Sequence, residues 1–176
     1  YKRQRNFKIT RVIDNYGYYF PPENYQYKIV VPYDSDMLSD YGDLRFLENE
    51  ASGVLPYWFE NKNTDNATVW VRRLENADNT IYVYYGNTSA TTAENGDNTF
   101  LLFDDFSGTL SRWSVSAGSA GDVFVIDGGA LRSQPDGTSP CKTGQMNTGI
   151  SEVNYVLEYR AKTVSMGGST QHLGLG

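Results

Sequence analysis

The stretch TIYVYYGNTSA, Thr80 to Ala90, decides the fold class. It sets isoleucine, valine and three tyrosines in front of a Gly86-Asn87 turn. In an extended strand Ile81, Val83 and Tyr85 share one face, and Tyr82 and Tyr84 share the other. The set containing the aliphatic residues is expected to look inward. Tyr82 and Tyr84 then lie on an outer face, where aromatic rings could stack on the C–H faces of sugars. Tyrosine is also an ordinary occupant of half-buried sheet, so a packing role is the simpler reading.

The same period of two recurs outward from this strand. Phe7, Ile9 and Val12-Ile13 open a first strand, and Tyr25, Tyr27, Ile29 and Val31 alternate in a second, ended by Pro32. Leu44, Phe46 and Leu47 follow the Tyr41-Gly42-Asp43 turn. VLPYWFE, 54–60, carries Pro56, which argues for an edge position or a bulge. ATVWVRR, 67–73, precedes the quoted strand. Strands spaced in this way, with Asn-, Asp- and Gly-rich loops between, point to an all-β antiparallel β-sandwich, jelly-roll-like, over residues 1–86. Ile29, Val31, Phe46, Val69, Val71, Ile81 and Val83 are the expected interior.

Residues 87–99 carry almost no apolar side chain except alanine and are expected to be an exposed linker, with a short helix in TTAEN capped by Thr91 or Thr92. A second unit is expected over 100–176: FLLFDDFSGTLSRW at 100–113, a hairpin in VFVIDGGALRS at 123–133, and an alternating run VNYVLEYRAK at 153–162. About five strands fall after Phe100, too few for a complete sandwich. The expectation is a partial second β-sandwich, completed by further chain or by another molecule.

Composition narrows the function classes. The net charge is -6 with no Lys/Arg block, so nucleic acid finds no electrostatic foothold. No apolar run is long enough to span a bilayer. One cysteine, Cys141, excludes an internal disulfide and a cysteine metal cage. One histidine, His172, leaves no Ser-His-Asp triad elsewhere in the chain and no multi-histidine zinc site. The 14 tyrosines and 17 glycines suit a twisted, turn-rich β protein and an extracellular surface. The sequons Asn66-Ala67-Thr68 and Asn87-Thr88-Ser89 offer Asn66 and Asn87 as glycosylation sites if the protein is exported.

Four pieces in this order, DLRFLENEASGVLPYWFE (43–60), ATVWVRRL (67–74), NTIYVYYGNTSA (79–90) and FLLFDDFSGTLSRW (100–113), resemble domain-of-unknown-function family twenty-three forty-one, found in secreted and cell-surface proteins. In that family the domain is often followed by a concanavalin-A-like lectin/glucanase domain. Residues 100–176 are similar to the first part of one. The resemblance implies an extracellular, multi-domain, all-β protein in carbohydrate recognition or adhesion. It carries no catalytic or ligand residue over to this chain.

The individual candidates are modest. Trp113 follows a Gly-containing loop and joins Tyr82 and Tyr84 as a carbohydrate-binding candidate. Trp58 and Trp70 read as core packing. Asp104 and Asp105 invite calcium, which takes several convergent oxygens, but adjacent strand residues point to opposite faces. Solvated or backbone-capping carboxylates are the plainer reading, and the same holds for Asp34, Asp36, Asp40 and Asp43. No carboxylate pair shows the spacing of a glycoside hydrolase.

The expected role is therefore a non-catalytic module, secreted or at the cell surface, with glycans or cell-surface components as partners and no required cofactor. Two alternatives stay open. One is a structural subunit of a surface filament, sheath or virion, assembling through strand edges. The other is an accessory domain of a glycoside hydrolase whose catalytic part lies elsewhere.

Overall fold

A computed structural model of the chain describes residues 3–8, 13–14, 17–18, 24–49, 53–73, 80–115, 124–133, 144–146 and 156–158. Its elements are β1 (Arg3–Lys8), β2 (Ile13–Asp14), β3 (Gly17–Tyr18), β4 (Gln26–Pro32), β5 (Arg45–Leu47), β6 (Tyr57–Lys62), β7 (Asn66–Arg72), β8 (Thr80–Tyr85), a one-turn helix α1 (Gly96–Thr99), a 3-10 turn (Leu110–Arg112), β9 (Trp113–Val115), β10 (Phe124–Ile126), β11 (Leu131–Ser133) and β12 (Gly144–Met146). The protein is all-β, and every strand pair is antiparallel. Among the described residues no helix is long and apolar enough to cross a membrane.

Two three-stranded sheets carry the core. One has the order β1-β8-β5, the other β4-β7-β6. Alternation along β4, β6, β7 and β8 sends Ile29 and Val31, Tyr57 and Phe59, Ala67, Val69 and Val71, and Ile81, Val83 and Tyr85 into a single buried cluster with Phe46 of β5. The rings of Phe46 and Tyr57 lie 5.0 Å apart and join the two sheets. All seven residues expected inside are buried. Each such side chain contributes roughly 1.5–3 kcal/mol by leaving water.

The core also takes Tyr41, Tyr57 and Tyr85, whose hydroxyls find acceptors at its rim. Tyr41 donates to Asn63 O at 2.9 Å, Tyr57 to Leu44 O at 3.0 Å and Tyr85 to Asp34 Oδ2 at 3.3 Å. Tyr41 holds φ of 58°, a left-handed backbone that a bulky residue adopts only when its surroundings fix it. The ring is packed between Tyr33, 5.7 Å away, and Phe59, 6.3 Å away.

Strand β6 is an edge strand, and its register against β7 shifts between Phe59 and Asn61. Both features are what Pro56 led us to expect. The 123–133 hairpin is present as β10 and β11, turning through Gly128 (φ 60°) and Gly129 (φ 73°). Two expectations need correction. The short helix starts at Gly96 rather than in TTAEN, because Asn95 is the residue whose side chain caps it, accepting from Asn98 N. Val156 to Glu158 form no strand, and Val156 is 88% exposed; no described neighbour offers the ladder partners a strand requires. Cys141, His172 and the rest of the 153–162 run lie outside the described residues.

Candidate functional site: two outward aromatic faces

Each sheet presents an outer face bearing aromatic rings. On β4-β7-β6 the residues alternating with the core are Lys28, Trp70, Trp58 and Glu60. Lys28, Trp70 and Trp58 stand side by side across the three strands. Glu60 Oε2 accepts from Trp70 Nε1 at 2.8 Å and pairs with Lys28 Nζ at 2.7 Å. The ammonium also sits 5.2 Å from the centre of the Trp70 ring. Both tryptophans pack, but on the side of the sheet away from the central core.

What covers them is the start of the run expected to open a second unit. Phe100 meets Trp58 and Trp70 edge-on, at 5.9 and 5.8 Å, and Phe103 meets Trp58 at 5.0 Å. The two phenylalanines stack at 5.8 Å with their planes 8° apart. Gly96 lies flat against the Phe103 ring, so close that a Cβ there would overlap it. Residues 87–99 are largely exposed, yet they are tied down at many points. Asn95 N donates to Tyr57 O at 2.8 Å, and Phe59 N donates to Glu94 Oε2 at 3.4 Å. Arg45 Nη2 reaches Thr91 O, Arg72 Nη1 reaches Asn98 O, and Gln26 Nε2 reaches Thr99 O.

Asp43 is fully buried and closes the loop that follows β4. Its Oδ1 accepts from Leu38 N at 3.0 Å and its Oδ2 from Gly86 N at 2.6 Å. Gly86 has φ of 87°, so glycine suits the turn that aims this N–H inward. Residues 40–116 match the family described as a domain of unknown function, DUF2341. Those residues carry this domain. No curated protein and no solved structure matches the chain.

The DUF2341 match takes in Tyr41 to Asp43, strands β5 to β8, the covering stretch 91–103 and the run from Phe100 to Trp113. On its second outer face, β8 is the central strand of β1-β8-β5. Tyr82 and Tyr84 point outward from it and are half-buried, as the alternation requires. Asn6 and Leu47 stand opposite Tyr82 in the register, and Gln4 and Arg45 opposite Tyr84. The Arg45 guanidinium turns away to the carbonyls of Gly42 and Leu44 at the sheet's end.

Trp113 stands apart from both faces. Its ring packs 6.0 Å from Phe106 and 5.6 Å from Phe124, and its Nε1 donates to Asp104 Oδ2 at 2.9 Å. Asp104 Oδ1 accepts from Phe106 N at 2.8 Å. Asp105 Oδ1 accepts from the Ser107 amide at 3.0 Å and its hydroxyl at 2.7 Å; the hydroxyl bond holds the Asp105 carboxyl below its ordinary pKa. These carboxylates shape their own turn. Among the described residues no three His, Cys, Asp or Glu side chains come together as a metal ion would need. Asp34 and Asp40 likewise cap the amides of Asp36 and Gly42.

Of the two sequons, Asn87 lies in a turn, its Oδ1 accepting from Ser89 N at 3.1 Å, with Thr88 and Ser89 exposed. Asn66 begins β7 and its Oδ1 accepts from Asn63 Nδ2 at 3.4 Å. Sequence reading did not single out the Trp58–Trp70–Phe100–Phe103 cluster as a unit. Its halves lie some thirty residues apart, and period-two alternation says which face a ring takes but not what will cover it.

Proposed function

We propose that this chain is a non-catalytic β module of an exported or cell-surface protein, and that it holds glycan against the outer face of β8. The observation that supports this reading is the placing of Tyr82 and Tyr84. The tryptophan face is taken up by the chain's own Phe100 and Phe103. Tyr82 and Tyr84 are partly exposed in the middle of a sheet, two residues apart on one strand. Partly exposed tyrosines at that spacing suit the C–H faces of consecutive sugars, and their hydroxyls can bond sugar hydroxyls.

The same reading takes residues 100–176 as the first part of a concanavalin-A-like domain. The β10-β11 hairpin and the packing of Trp113 on Phe124 support it. A polysaccharide and glycan array probed with the wild-type chain and with Tyr82→Ala/Tyr84→Ala tests the proposal. We expect binding to at least one glycan class that the double variant loses while its circular dichroism stays unchanged. A blank array, or binding that survives the double substitution, overturns it.

A second reading, a structural subunit that assembles through its strand edges, draws on Val30, 54% exposed on the outermost strand β4.

A further inference from the structure

The two sequons, Asn66-Ala67-Thr68 and Asn87-Thr88-Ser89, are equivalent as patterns, but the fold holds them in opposite ways. An enzyme that attaches a glycan must grip the acceptor asparagine together with the hydroxyl two places on. Such a triplet has to leave its neighbours and lie in another protein's cleft. What it costs to free the triplet therefore decides which sequon serves.

Asn66, Ala67 and Thr68 open β7, the central strand of its sheet. They pair with Pro32, Val31 and Val30 on one side, and Ala67 and Thr68 pair with Lys62 and Asn61 on the other. Ala67 is fully buried in the core. The turn before the strand fixes Asn66 further. Its N donates to Asn63 Oδ1 at 3.0 Å, and its O accepts from Asn63 N at 3.0 Å. Lifting this triplet out opens two ladders and bares core, which is a large part of unfolding the sheet.

Asn87, Thr88 and Ser89 belong to no strand or helix. Two bonds shape them, Ser89 N to Asn87 Oδ1 at 3.1 Å and Ala90 N to Asn87 O at 3.0 Å. Both lie inside the stretch 87–90, so the triplet can straighten without breaking a bond to either sheet. Thr88 and Ser89 are exposed. Among the described residues none accepts from Asn87 Nδ2, the atom that takes the sugar, and none bonds the Ser89 hydroxyl. The chain is pinned on both flanks, by Gly86 N on Asp43 and by Arg45 Nη2 on Thr91 O, so the fold stays in place while the triplet is presented.

We propose that Asn87 carries an N-linked glycan and that Asn66 does not. In the transfer Asn87 Nδ2 bonds to C1 of an oligosaccharide carried on a lipid pyrophosphate. The bond from C1 to the phosphate oxygen breaks, the lipid pyrophosphate leaves with the electron pair, and Nδ2 gives up one proton. The transfer happens outside the cytoplasm, so the site rests on the exported location proposed above.

Incubating the folded full chain with an oligosaccharyltransferase that accepts N-x-S/T and a lipid-pyrophosphate oligosaccharide tests the choice of acceptor apart from export. We expect the intact mass to rise by one glycan and peptide mapping to place it on Asn87. Asn87→Gln should abolish the rise and Asn66→Gln should leave it unchanged. A glycan on Asn66 of the folded chain, or none on Asn87, overturns the proposal. Peptide mapping of the protein recovered from the cells that make it separates the two readings. Protein found outside the cytoplasm with Asn87 bare overturns the glycan site alone, whereas protein confined to the cytoplasm with Asn87 bare overturns the exported reading with it.

Discussion

Asp43 and Gly86 are joined by a 2.6 Å hydrogen bond in which a buried carboxylate accepts the amide that ends β8. The other carboxylate oxygen accepts Leu38 N at 3.0 Å, so one side chain anchors the loop after β4 to the opposite sheet. Asp43→Ala strands two partly buried N–H groups and should lower unfolding stability by about 2–4 kcal/mol. Asp43→Asn keeps one good acceptor and should cost about half as much. Urea unfolding of the two variants against wild type measures both.

Glu48 and Arg73 form an ion pair at 3.2 Å with both side chains nearly inaccessible, at 2% and 6%. Arg73→Ala leaves a buried carboxylate without its cation and should cost roughly 3–5 kcal/mol. Replacing both partners with apolar residues of similar size should recover most of that loss. Thermal melts of the single and double variants give the comparison.

The stretch 91–103 belongs to the folding of the first module. Phe100→Ala should lower stability by about 2–3 kcal/mol and shift tryptophan fluorescence to the red as Trp58 and Trp70 meet water. Gly96→Ala should act in the same direction by displacing Phe103. Ending the chain before Ala93 should uncover the β6 edge and cause association, visible by light scattering.

Burial raises the Tyr57 phenol above its ordinary pKa of 10.0, and Tyr41 and Tyr27 are raised for the same reason. These groups prefer to be neutral in the fold. Their contribution is whole below the unfolded value near 10.0 and is lost as pH rises through the folded values. Urea midpoints should fall steeply in that alkaline window. Tyr57→Phe should start about 1–2 kcal/mol lower at neutral pH, having lost its bonds to Leu44 and Ala93, yet fall less steeply with alkali.

Much of this fold is legible in the residues themselves. Along β8, Ile81 and Val83 turn inward and Tyr82 and Tyr84 outward because strand geometry allows no other sorting. Pro56 marks an edge strand because it cannot complete a ladder on both sides. Other features depend on groups far apart in the chain. Nothing near Asp43 signals that its partner amide lies at Gly86, and nothing near Trp58 signals that Phe103 will cover it. The 87–99 run looks like a linker because its side chains are small and polar. It is held instead by backbone groups, which leave no mark in hydrophobic patterning. Val156 to Glu158 show the converse limit, since a pattern of two needs a neighbouring strand before it becomes one.

Saturation-transfer NMR on the chain with glycans drawn from a positive array would examine the outer face of β8 most directly. The proposed site requires sugar protons to receive saturation from tyrosine rings in the wild type, and requires that transfer to vanish in the folded Tyr82→Ala/Tyr84→Ala variant. Undiminished transfer in that variant would contradict it.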